Sequence, residues 1–555
     1  MKRRRDARGN HGGRRSRKDS AFRGERAHRR GSVQRAPRQA VEDERKEKMP
    51  LVKGDTPAGD TVAVMKAYGL DGSFPPKVLE EASRVSKELD SPGKRRLDLR
   101  RKFIFTCDPQ SARDYDDALS LERDKSGRRV LGVHIADVGH FVKAGSALDK
   151  EAYRRGTSVY LADRVLPMLP EELSNGVCSL VPGEDRLAFS VFMTFDEGGR
   201  MVKRSFAKSV IRSKARFTYE EVMAELSSAK PRGKLGMRPS WRSTVRAISA
   251  LAQTLRKARF ASGALDISVP ELEVILDDDK NLAGLKARVD DESHQMIEEC
   301  MVAANEAVAT ELSLRGINTL ARLHEPPDED RLEELRLNAA ALGVKAGSLS
   351  NPRQMRRFLD AIKKHPLSGP LSLMVLRSQK RAVYDARHEG HWGLAKRHYA
   401  HFTSPIRRYP DLLLHRQLAA IISGTGGRED QGYLERAAKH LSERETNAAE
   451  AERSIIEVKK FRHFEANPGP YDAVISKVTR FGVFVDIPEL AASGMVHISN
   501  LSPLGEYVRW HEIDQMLSDS HNTWRFGDRI MVKALSVDYE RRWIDFTVAY
   551  GAENG

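Results

Sequence analysis

The chain has 555 residues, of which 40% are hydrophobic and 31% charged, and its formal net charge is +16. This length is enough for two to four domains, and no apolar run approaches the roughly 18 residues that a membrane-spanning helix needs. The three cysteines are far apart and form no CxxC pair, which argues against structural zinc and favours a reducing, cytoplasmic compartment.

The positive charge is concentrated at the N-terminus. Residues 1–38 contain fifteen lysines and arginines and three acidic residues, a net charge of +12, which leaves about +4 for the other 517 residues. Residues 1–50 are rich in Arg, Gly and Ser and poor in large apolar side chains, so we predict a disordered basic tail. Such a tail would bind RNA or DNA phosphates without reading sequence. A passive solubilising extension or a misread start of the gene fits the composition as well.

Residues 51–96 are predicted to form a Gly/Pro-rich linker and two lead-in helices, after which strand patterns begin. The predicted strands are Lys102–Cys107, Ala118–Glu122 and Val130–Val138. The last two are joined by Asp124-Lys125-Ser126-Gly127, a sequence typical of a hairpin turn. The first two strands enclose an acidic segment.

Four carboxylates lie within ten residues of this segment, at Asp108, Asp114, Asp116 and Asp117. Only Arg113 lies among them to offset the repulsion. A bound cation would relieve it, and oxygen ligands suit Mg²⁺ or Mn²⁺, which commonly serve phosphoryl transfer. An acidic surface loop is the alternative on these residues alone. An EF-hand fits worse, because its alternating ligands, central Gly and terminal Glu are missing.

The centre of the chain, residues 97–430, is predicted to be a mixed α/β domain. Amphipathic helices are predicted at Arg212–Ser227, Arg242–Phe260, Glu292–Leu314, Glu329–Leu342 and Asn351–Lys364. A charged helical segment follows over residues 431–468. Residues 469–550 then show five short alternating strand patterns, which predicts a small all-β barrel.

Several motifs occur in a specific order along the chain. After the acidic loop and Gly132–Val138 come Met168-Leu169-Pro170, Cys178-Ser179-Leu180, Ile297-Glu298-Glu299, Ala303-Ala304-Asn305, His324-Glu325-Pro326-Pro327 and the long run His401–Leu412. Together they resemble the catalytic (RNB) domain of the ribonuclease II/ribonuclease R family of exoribonucleases. The last run is highly specific, and the resemblance covers roughly residues 60–549.

The resemblance implies processive, Mg²⁺-dependent hydrolysis of single-stranded RNA from the 3′ end, with release of nucleoside 5′-monophosphates. It implies that Asp108 and Asp117 hold Mg²⁺ (or Mn²⁺ as a substitute) most directly. Asp114 and Asp116 would complete the metal site or orient the attacking water. Arg407 matches the family arginine that stabilises charge at the scissile phosphate, for which a guanidinium is suited because its planar fork grips two oxygens. A plain phosphate contact or a surface ion pair is the alternative for Arg407.

Three further residues are assigned to RNA by the same resemblance. Tyr160 occupies the place of an aromatic that stacks on the terminal base, and a core tyrosine is the alternative. Glu452 occupies the place of a glutamate near the 3′ nucleotide, and a solvated helix face is the alternative. Arg408 is expected to be a backbone or structural partner.

The C-terminal barrel resembles an S1-type OB-fold RNA-binding domain, on the segments 478–485 and 494–499. Phe481, Phe484 and His497 would present a stacking face, with Lys477 and Arg480 at its edge for phosphates. Phe481 and Phe484 differ in parity along a strand, so one face accommodates both only if the backbone bends.

We therefore expect a cytoplasmic, monomeric 3′→5′ exoribonuclease that binds single-stranded RNA 3′ ends and no membrane. A catalytically inactive RNA-binding protein on the same fold is one rival, and a metal-dependent DNA nuclease is another. Relatives of the ribonuclease R type carry cold-shock-like barrels before the catalytic domain. The recognisable sequence here begins around Gly54–Gly59, so their absence and a broken reading frame both remain open.

Overall fold

A seven-stranded sheet forms the frame of the catalytic region in the computed structural model. The structure describes residues 49–549 except 88–95, 228–237, 268–271, 288–289, 342, 366–367, 388, 503–504 and 513. The predicted basic tail thus lies outside the described residues, apart from its last two positions. The lead-in is helical at α1 (Asp60–Ala67) and α2 (Pro76–Ser86).

The strands of the first half are β1 (Leu97–Asp98), β2 (Phe105–Cys107), β3 (Asp117–Arg123), β4 (Arg129–Ala136), β5 (Val159–Tyr160), β6 (Val165–Leu166), β7 (Asp185–Phe195), β8 (Met201–Arg212) and β9 (Ala215–Phe217). Seven of them form one sheet in the order β1-β8-β7-β4-β3-β2-β9, and β5 pairs with β6 separately. The sheet is antiparallel except at its two edges, where β1 runs parallel to β8 and β9 runs parallel to β2.

The predicted hairpin between β3 and β4 is confirmed. The amide of Gly127 donates to the carbonyl of Asp124 over 2.9 Å, and the Asp124 amide donates to the Arg128 carbonyl over 2.9 Å. Gly127 has a positive φ of 79°, which glycine adopts without steric cost. The long hairpin of β7 and β8 has no counterpart among the predicted elements.

The remaining helices of the catalytic region are α3 (Val138–Phe141), α4 (Ala147–Arg155), α5 (Tyr219–Ser227), α6 (Pro239–Ala261), α7 (Glu292–Leu314), α8 (Glu329–Ala341), α9 (Pro352–Ile362), α10 (Ser368–Ser378) and α11 (Tyr409–Ser423). A π-helical turn covers Glu172–Val177, and two small ribbons pair β10 (Leu272–Leu276) with β11 (Leu282–Ala287) and β12 (Ala321–Leu323) with β13 (Val383–Asp385). Both faces of the central strand β4 are buried. Alternate residues of β4, such as Val133 and Ile135, join the core that contains α6 and α7, whereas Ala136 joins the core that contains α11.

The helix predicted at Arg212–Ser227 is wrong in its first half. Arg212 ends β8, residues 215–217 form β9, and the helix begins only at Tyr219. The start is fixed by a capping box, in which the Glu221 amide donates to Thr218 Oγ1 over 3.2 Å and the Thr218 amide donates to Glu221 Oε2 over 2.9 Å. Pairing with β2 overrides the helical pattern of the preceding residues.

The C-terminal part consists of α12 (Gln431–Ala466) and a closed five-stranded barrel, as predicted. The barrel order is β14 (Tyr471–Thr479), β15 (Gly482–Ile487), β16 (Ala492–His497), β21 (Trp543–Val548) and β20 (Arg529–Asp538). A three-stranded sheet of β17 (Arg509–His511), β18 (Met516–Ser518) and β19 (Thr523–Trp524) is inserted between β16 and β20. Leu51 and Leu282, from outside the barrel, pack into its hydrophobic core, which joins the barrel to the rest of the chain.

Candidate active site

The four aspartates lie where two neighbouring strands of the sheet meet a loop. Asp108 directly follows β2, and its amide donates to the Phe217 carbonyl over 3.1 Å. Asp117 is the first residue of β3 and pairs with Ile135 on β4. Asp114 and Asp116 lie in the connecting loop, where Asp116 is only 5% exposed. The sheet thus brings all four predicted carboxylates into one region.

Ser179 holds the second half of this loop. The amide of Tyr115 donates to Ser179 Oγ over 3.0 Å, and that hydroxyl donates to the Arg113 carbonyl over 2.8 Å. The Leu180 amide in turn donates to the Tyr115 carbonyl over 3.0 Å. The motif Cys178-Ser179-Leu180 therefore fixes the backbone on both sides of Asp114.

The surroundings of the four carboxylates favour their protonated forms. Burial raises the pKa of Asp108, Asp114, Asp116 and Asp117. Repulsion from Asp117 raises the pKa of Asp108 further, and repulsion from Asp114 and Asp117 acts on Asp116. Arg407 opposes this by lowering the pKa of Asp114, Asp116 and Asp117. A cation among the oxygens would favour the ionised forms.

One buried carboxylate oxygen of the cluster bears on whether it suits a metal. Asp108 Oδ2 is buried and makes no hydrogen bond of regular geometry among the described residues, and the neighbouring Thr106 hydroxyl lowers the pKa of this carboxyl. A buried, unpaired carboxylate oxygen is costly unless it is coordinated. The other three carboxylates lie in the same region, and all four are the hard oxygen donors that Mg²⁺ and Mn²⁺ prefer. The donor set therefore suits a divalent cation, although no three of these carboxylates have oxygens within 4.8 Å of one another among the described residues.

Arg407 lies at the edge of this cluster. The preceding amide, that of Ile406, donates to Asp116 Oδ1 over 2.9 Å. Arg407 Nε is 3.9 Å from Asp116 Oδ2, and its Nη2 donates to Ser404 Oγ over 3.2 Å. The side chain is still 43% exposed. The guanidinium is therefore oriented by the cluster yet open to a bound phosphate.

Arg408 occupies a different environment from its neighbour. Its Nη2 donates to Asp411 Oδ1 over 2.7 Å, and the same oxygen accepts from the Ser404 amide over 2.8 Å. The side chain of Arg408 is 17% exposed and that of Asp411 is fully buried. Arg408 thus holds the turn that presents Arg407, at the N-terminus of α11.

Tyr160 and Glu452 are brought to the same region. Glu452, on α12, accepts from the Tyr160 amide over 2.7 Å. The Arg407 carbonyl accepts from the Ser158 amide over 3.0 Å and from Thr157 Oγ1 over 3.1 Å. Tyr160 as a residue is 43% exposed, so it is not a core tyrosine. Burial raises the pKa of Tyr160, Arg407 lowers it, and Asp114 and Asp116 raise it further. Because these charges act on the phenol group, the ring lies beside the acidic cluster.

The barrel carries the other predicted RNA-binding residues. Phe481 lies in the turn between β14 and β15 and is 38% exposed, and the Arg480 guanidinium is 4.6 Å from its ring centroid. Phe484, on β15, packs edge-to-face on Trp543 at 5.7 Å, with Lys477 Nζ at 5.8 Å from its centroid. His497 is exposed at the end of β16. The tight turn at Gly482, with φ of 144°, resolves the difference in parity, because Phe481 is not part of the strand.

Ser404, Thr157 and Ser158 are positioning residues that the sequence analysis does not single out. All three fall inside or beside the family motifs around Arg407 and Tyr160, and small hydroxyl residues next to a functional side chain are the signal that could have identified them.

A second acidic group lies in the barrel. Ligand atoms of Glu506, Asp519 and His521 lie within 4.8 Å of one another. Glu506 and Asp519 are half-buried and His521 is exposed, and their oxygens are engaged by Ser520 and by the backbone amides of His521 and Asn522. Acidic groups near the surface are common without a metal. Although this group, and not the four aspartates, meets the distance of 4.8 Å among the described residues, the aspartate loop remains the candidate metal centre because of its deeper burial and the motif in which it stands.

Comparison with known protein families agrees with the geometry. The RNB domain model matches residues 96–424, and the S1 RNA binding domain model matches residues 470–549. Among the helices of the described residues, none is long and apolar enough to cross a membrane.

Curated relatives cover most of the chain. It is 40% identical over 517 residues to ribonuclease R of Thermotoga maritima, covering 89% of this chain and 71% of the relative. It is 38% identical over 490 residues to ribonuclease R of Aquifex aeolicus, covering 87% of this chain and 69% of the relative. The Escherichia coli ribonuclease R is 35% identical over 504 residues, with 87% of this chain and 61% of the relative covered.

Solved structures agree in fold. Mycoplasma genitalium RNase R in complex with ribose-methylated single-stranded RNA superposes with a TM-score of 0.80 at 27% identity, covering 89% of this chain and 78% of that one. Yeast Ssd1, a pseudonuclease, superposes with a TM-score of 0.67 at 19% identity, covering 87% of this chain and 63% of that one, and shows the fold alone. The family match and the identity to the Thermotoga and Aquifex relatives establish that the chain belongs to the RNB family of 3′→5′ exoribonucleases.

Proposed function

We propose that the protein is a Mg²⁺-dependent exoribonuclease that degrades single-stranded RNA processively from the 3′ end to nucleoside 5′-monophosphates. The observation that carries this proposal is Arg407 Nε, 3.9 Å from Asp116 Oδ2, in the region of the buried or half-buried Asp108, Asp114 and Asp117. Enzymes of the family are metal-dependent, and the unpaired oxygen of Asp108 supports a cation there.

Asp108, Asp114, Asp116 and Asp117 would hold the cation. When bound, Mg²⁺ lowers the pKa of a water and offsets charge on the phosphate and the leaving 3′ oxygen, and Mn²⁺ can replace it. Asp116 is also tied to the Ile406 amide, so it serves the geometry of the loop as well as its charge.

Arg407 would neutralise charge that develops on the scissile phosphate. Its exposed guanidinium is restrained by Ser404 and Asp116, so little reorganisation is needed when a phosphate arrives. Arg408 supports this arrangement through Asp411 and does not need to contact RNA itself.

Tyr160 would stack on the last base, next to the acidic cluster. Stacking is tolerant of sequence, which suits an enzyme that must accept every 3′ nucleotide. Glu452 fixes the backbone of Tyr160 through its amide, so it orients the ring and lies near the terminal nucleotide.

The barrel would bind RNA upstream of the cleaved bond. Phe481, Phe484 and His497 provide aromatic surface, and Lys477 and Arg480 provide charge beside two of these rings. We propose that residues 97–430 form the catalytic domain and residues 469–550 the RNA-binding domain, with residues 431–468 between them. We further propose that the enzyme is monomeric and cytoplasmic and that residues 1–50 add RNA affinity.

The experiment that tests the function uses one 5′-labelled RNA and a DNA of the same sequence, each with Mg²⁺ and with EDTA. With Mg²⁺ alone, we expect the RNA to be converted to a short 5′-labelled end product without a ladder of intermediates, and nucleoside 5′-monophosphates to be released, identified by chromatography. A 3′-phosphate-terminated product, or equal hydrolysis of DNA, would contradict the proposal. Binding without hydrolysis under all conditions would favour the inactive RNA-binding alternative.

A further inference from the structure

Arg216 makes direct contacts with the loop that carries the aspartates. Its Nη2 donates to the Pro109 carbonyl over 2.7 Å and to the Gln110 carbonyl over 2.9 Å. These are the two residues that follow Asp108. One guanidinium nitrogen therefore restrains the backbone at the point where the loop leaves β2.

The same guanidinium also reaches the other end of the loop. Its central carbon is 5.4 Å from the ring centroid of Tyr115, and Tyr115 separates Asp114 from Asp116. Arg216 thus contacts the loop both next to Asp108 and between Asp114 and Asp116. No regular secondary structure fixes the spacing of the carboxylates over residues 108–116.

The anchor of these contacts is rigid. Arg216 lies on β9, in register with Thr106 on β2, and the next residue, Phe217, accepts the amide of Asp108. The capping box of Thr218 and Glu221 follows immediately. The backbone of Arg216 is therefore held by the sheet, while its guanidinium contacts the loop.

The charge of Arg216 suits this position. Neither Asp108 nor Asp117 forms an ion pair with it within 4.0 Å among the described residues, so its charge acts without occupying the carboxylate oxygens that a metal needs.

We infer that Arg216 is a positioning residue for the metal centre, which holds Asp108 at a fixed distance from Asp114, Asp116 and Asp117. It contacts neither the cation nor RNA in this role. The inference rests on the proposed function, because it assumes that the four carboxylates bind a divalent cation. Removal of such outer partners typically weakens metal binding about 10–100-fold.

The test compares wild type, Arg216→Met and Arg216→Lys in the full chain. Arg212→Met serves as a matched control, because Arg212 ends the neighbouring strand β8 and pairs with Asp185 at 2.7 Å instead of contacting the loop. Binding of Mn²⁺ is measured without RNA, from the electron paramagnetic resonance signal of the free ion. Hydrolysis of a labelled single-stranded RNA is then measured as a function of Mg²⁺ concentration.

We expect Arg216→Met to bind Mn²⁺ about 10–100-fold more weakly, with its hydrolysis rate restored at high Mg²⁺. Arg216→Lys, which keeps the charge but has a shorter reach, should fall between it and wild type, and it carries the test alone if Arg216→Met does not fold. Mn²⁺ affinity within twofold of wild type in both variants would overturn the inference. So would a rate loss that Mg²⁺ does not restore, since this would indicate a contact with RNA. Failure of wild type itself to bind Mn²⁺ would instead refute the proposed function.

Discussion

The backbone amide of Ile406 donates a 2.9 Å hydrogen bond to the carboxylate of Asp116, although the two residues are 290 positions apart. This bond joins the two most specific motifs of the chain, the acidic loop and the run that contains Arg407. Because Asp116 is almost fully buried, the bond is shielded from water and fixes the distance between the arginine and the carboxylates. The geometry of the site therefore depends on a backbone contact as much as on its side chains.

Substitution of Arg407 by alanine should slow the chemical step. Arginines that neutralise a transferring phosphate are worth about 10³–10⁵ in rate, and no other described cation lies within 4.0 Å of Asp116. We expect a loss of this order in single-turnover hydrolysis of a short RNA, measured by rapid quench, with little change in RNA affinity. Arg200→Ala is a matched control, because its side chain is 82% exposed on the turn before β8. An effect on affinity alone would make Arg407 a simple phosphate contact.

Substitution of Tyr160 by alanine should change where degradation stops. Base stacking on an aromatic ring is worth about 1–3 kcal/mol, and this ring is exposed beside the acidic cluster. Short oligonucleotides should therefore dissociate earlier and leave longer end products on a sequencing gel, while long RNA is degraded at nearly the normal rate. Tyr160→Phe should behave like wild type, since it keeps the ring. End products of unchanged length in Tyr160→Ala would argue against stacking.

Substitution of Asp108 by asparagine should stabilise the metal-free protein at alkaline pH. The folded-state pKa of Asp108 lies above its ordinary value of 3.8 because of burial and Asp117, so its ionised form opposes folding once the pH exceeds that ordinary value. Burial and Asp117 raise the pKa of Asp108 from 3.8 to about 8, so at about 1.4 kcal/mol per pKa unit the gain should reach about 5 kcal/mol at pH 8 and should shrink toward zero near pH 4.

The measurement for Asp108 is urea unfolding in EDTA at several pH values, with Asp124→Asn as a control carboxylate on the exposed hairpin turn. Burial raises the pKa of Asp108, whereas hydrogen bonds with Arg128 and Ser126 lower that of Asp124. The control should therefore lose stability at pH 8. If Asp108→Asn is also less stable than wild type in EDTA at pH 8, the carboxylate is not strained in the metal-free state.

Local patterns predicted much of the fold. The turn at Asp124–Gly127 and the helix Glu292–Leu314 appear as predicted, because hairpin turns and amphipathic helices depend on residues close in sequence. The helix expected from Arg212 fails because residues 215–217 pair with β2, a contact with a segment more than a hundred residues away. The spacing of apolar residues along the chain does not show strand pairing of this kind.

For the site itself, only the side chains that stand in specific motifs were predicted. The resemblance named the four aspartates, Arg407 and Tyr160, because they stand in specific motifs. It could not reveal that the Ser179 hydroxyl and the Arg216 guanidinium hold the loop through backbone carbonyls. Every residue has a backbone carbonyl, so the sequence does not show which of them accept hydrogen bonds. Residues that act on the backbone are therefore the part of a site for which a structure is needed.

The most direct test of the central claim is hydrolysis of a 5′-labelled single-stranded RNA by Asp117→Asn in Mg²⁺, beside wild type in Mg²⁺ and in EDTA. Asparagine keeps the shape of the side chain but removes the charge of one carboxylate next to Asp108. We predict that the variant and the EDTA sample leave the RNA intact, whereas filter binding shows that the variant retains nearly normal RNA affinity. Shortening of the RNA by wild type in EDTA, or by Asp117→Asn at more than a few per cent of the normal rate, would contradict the assignment of these carboxylates to a catalytic metal centre.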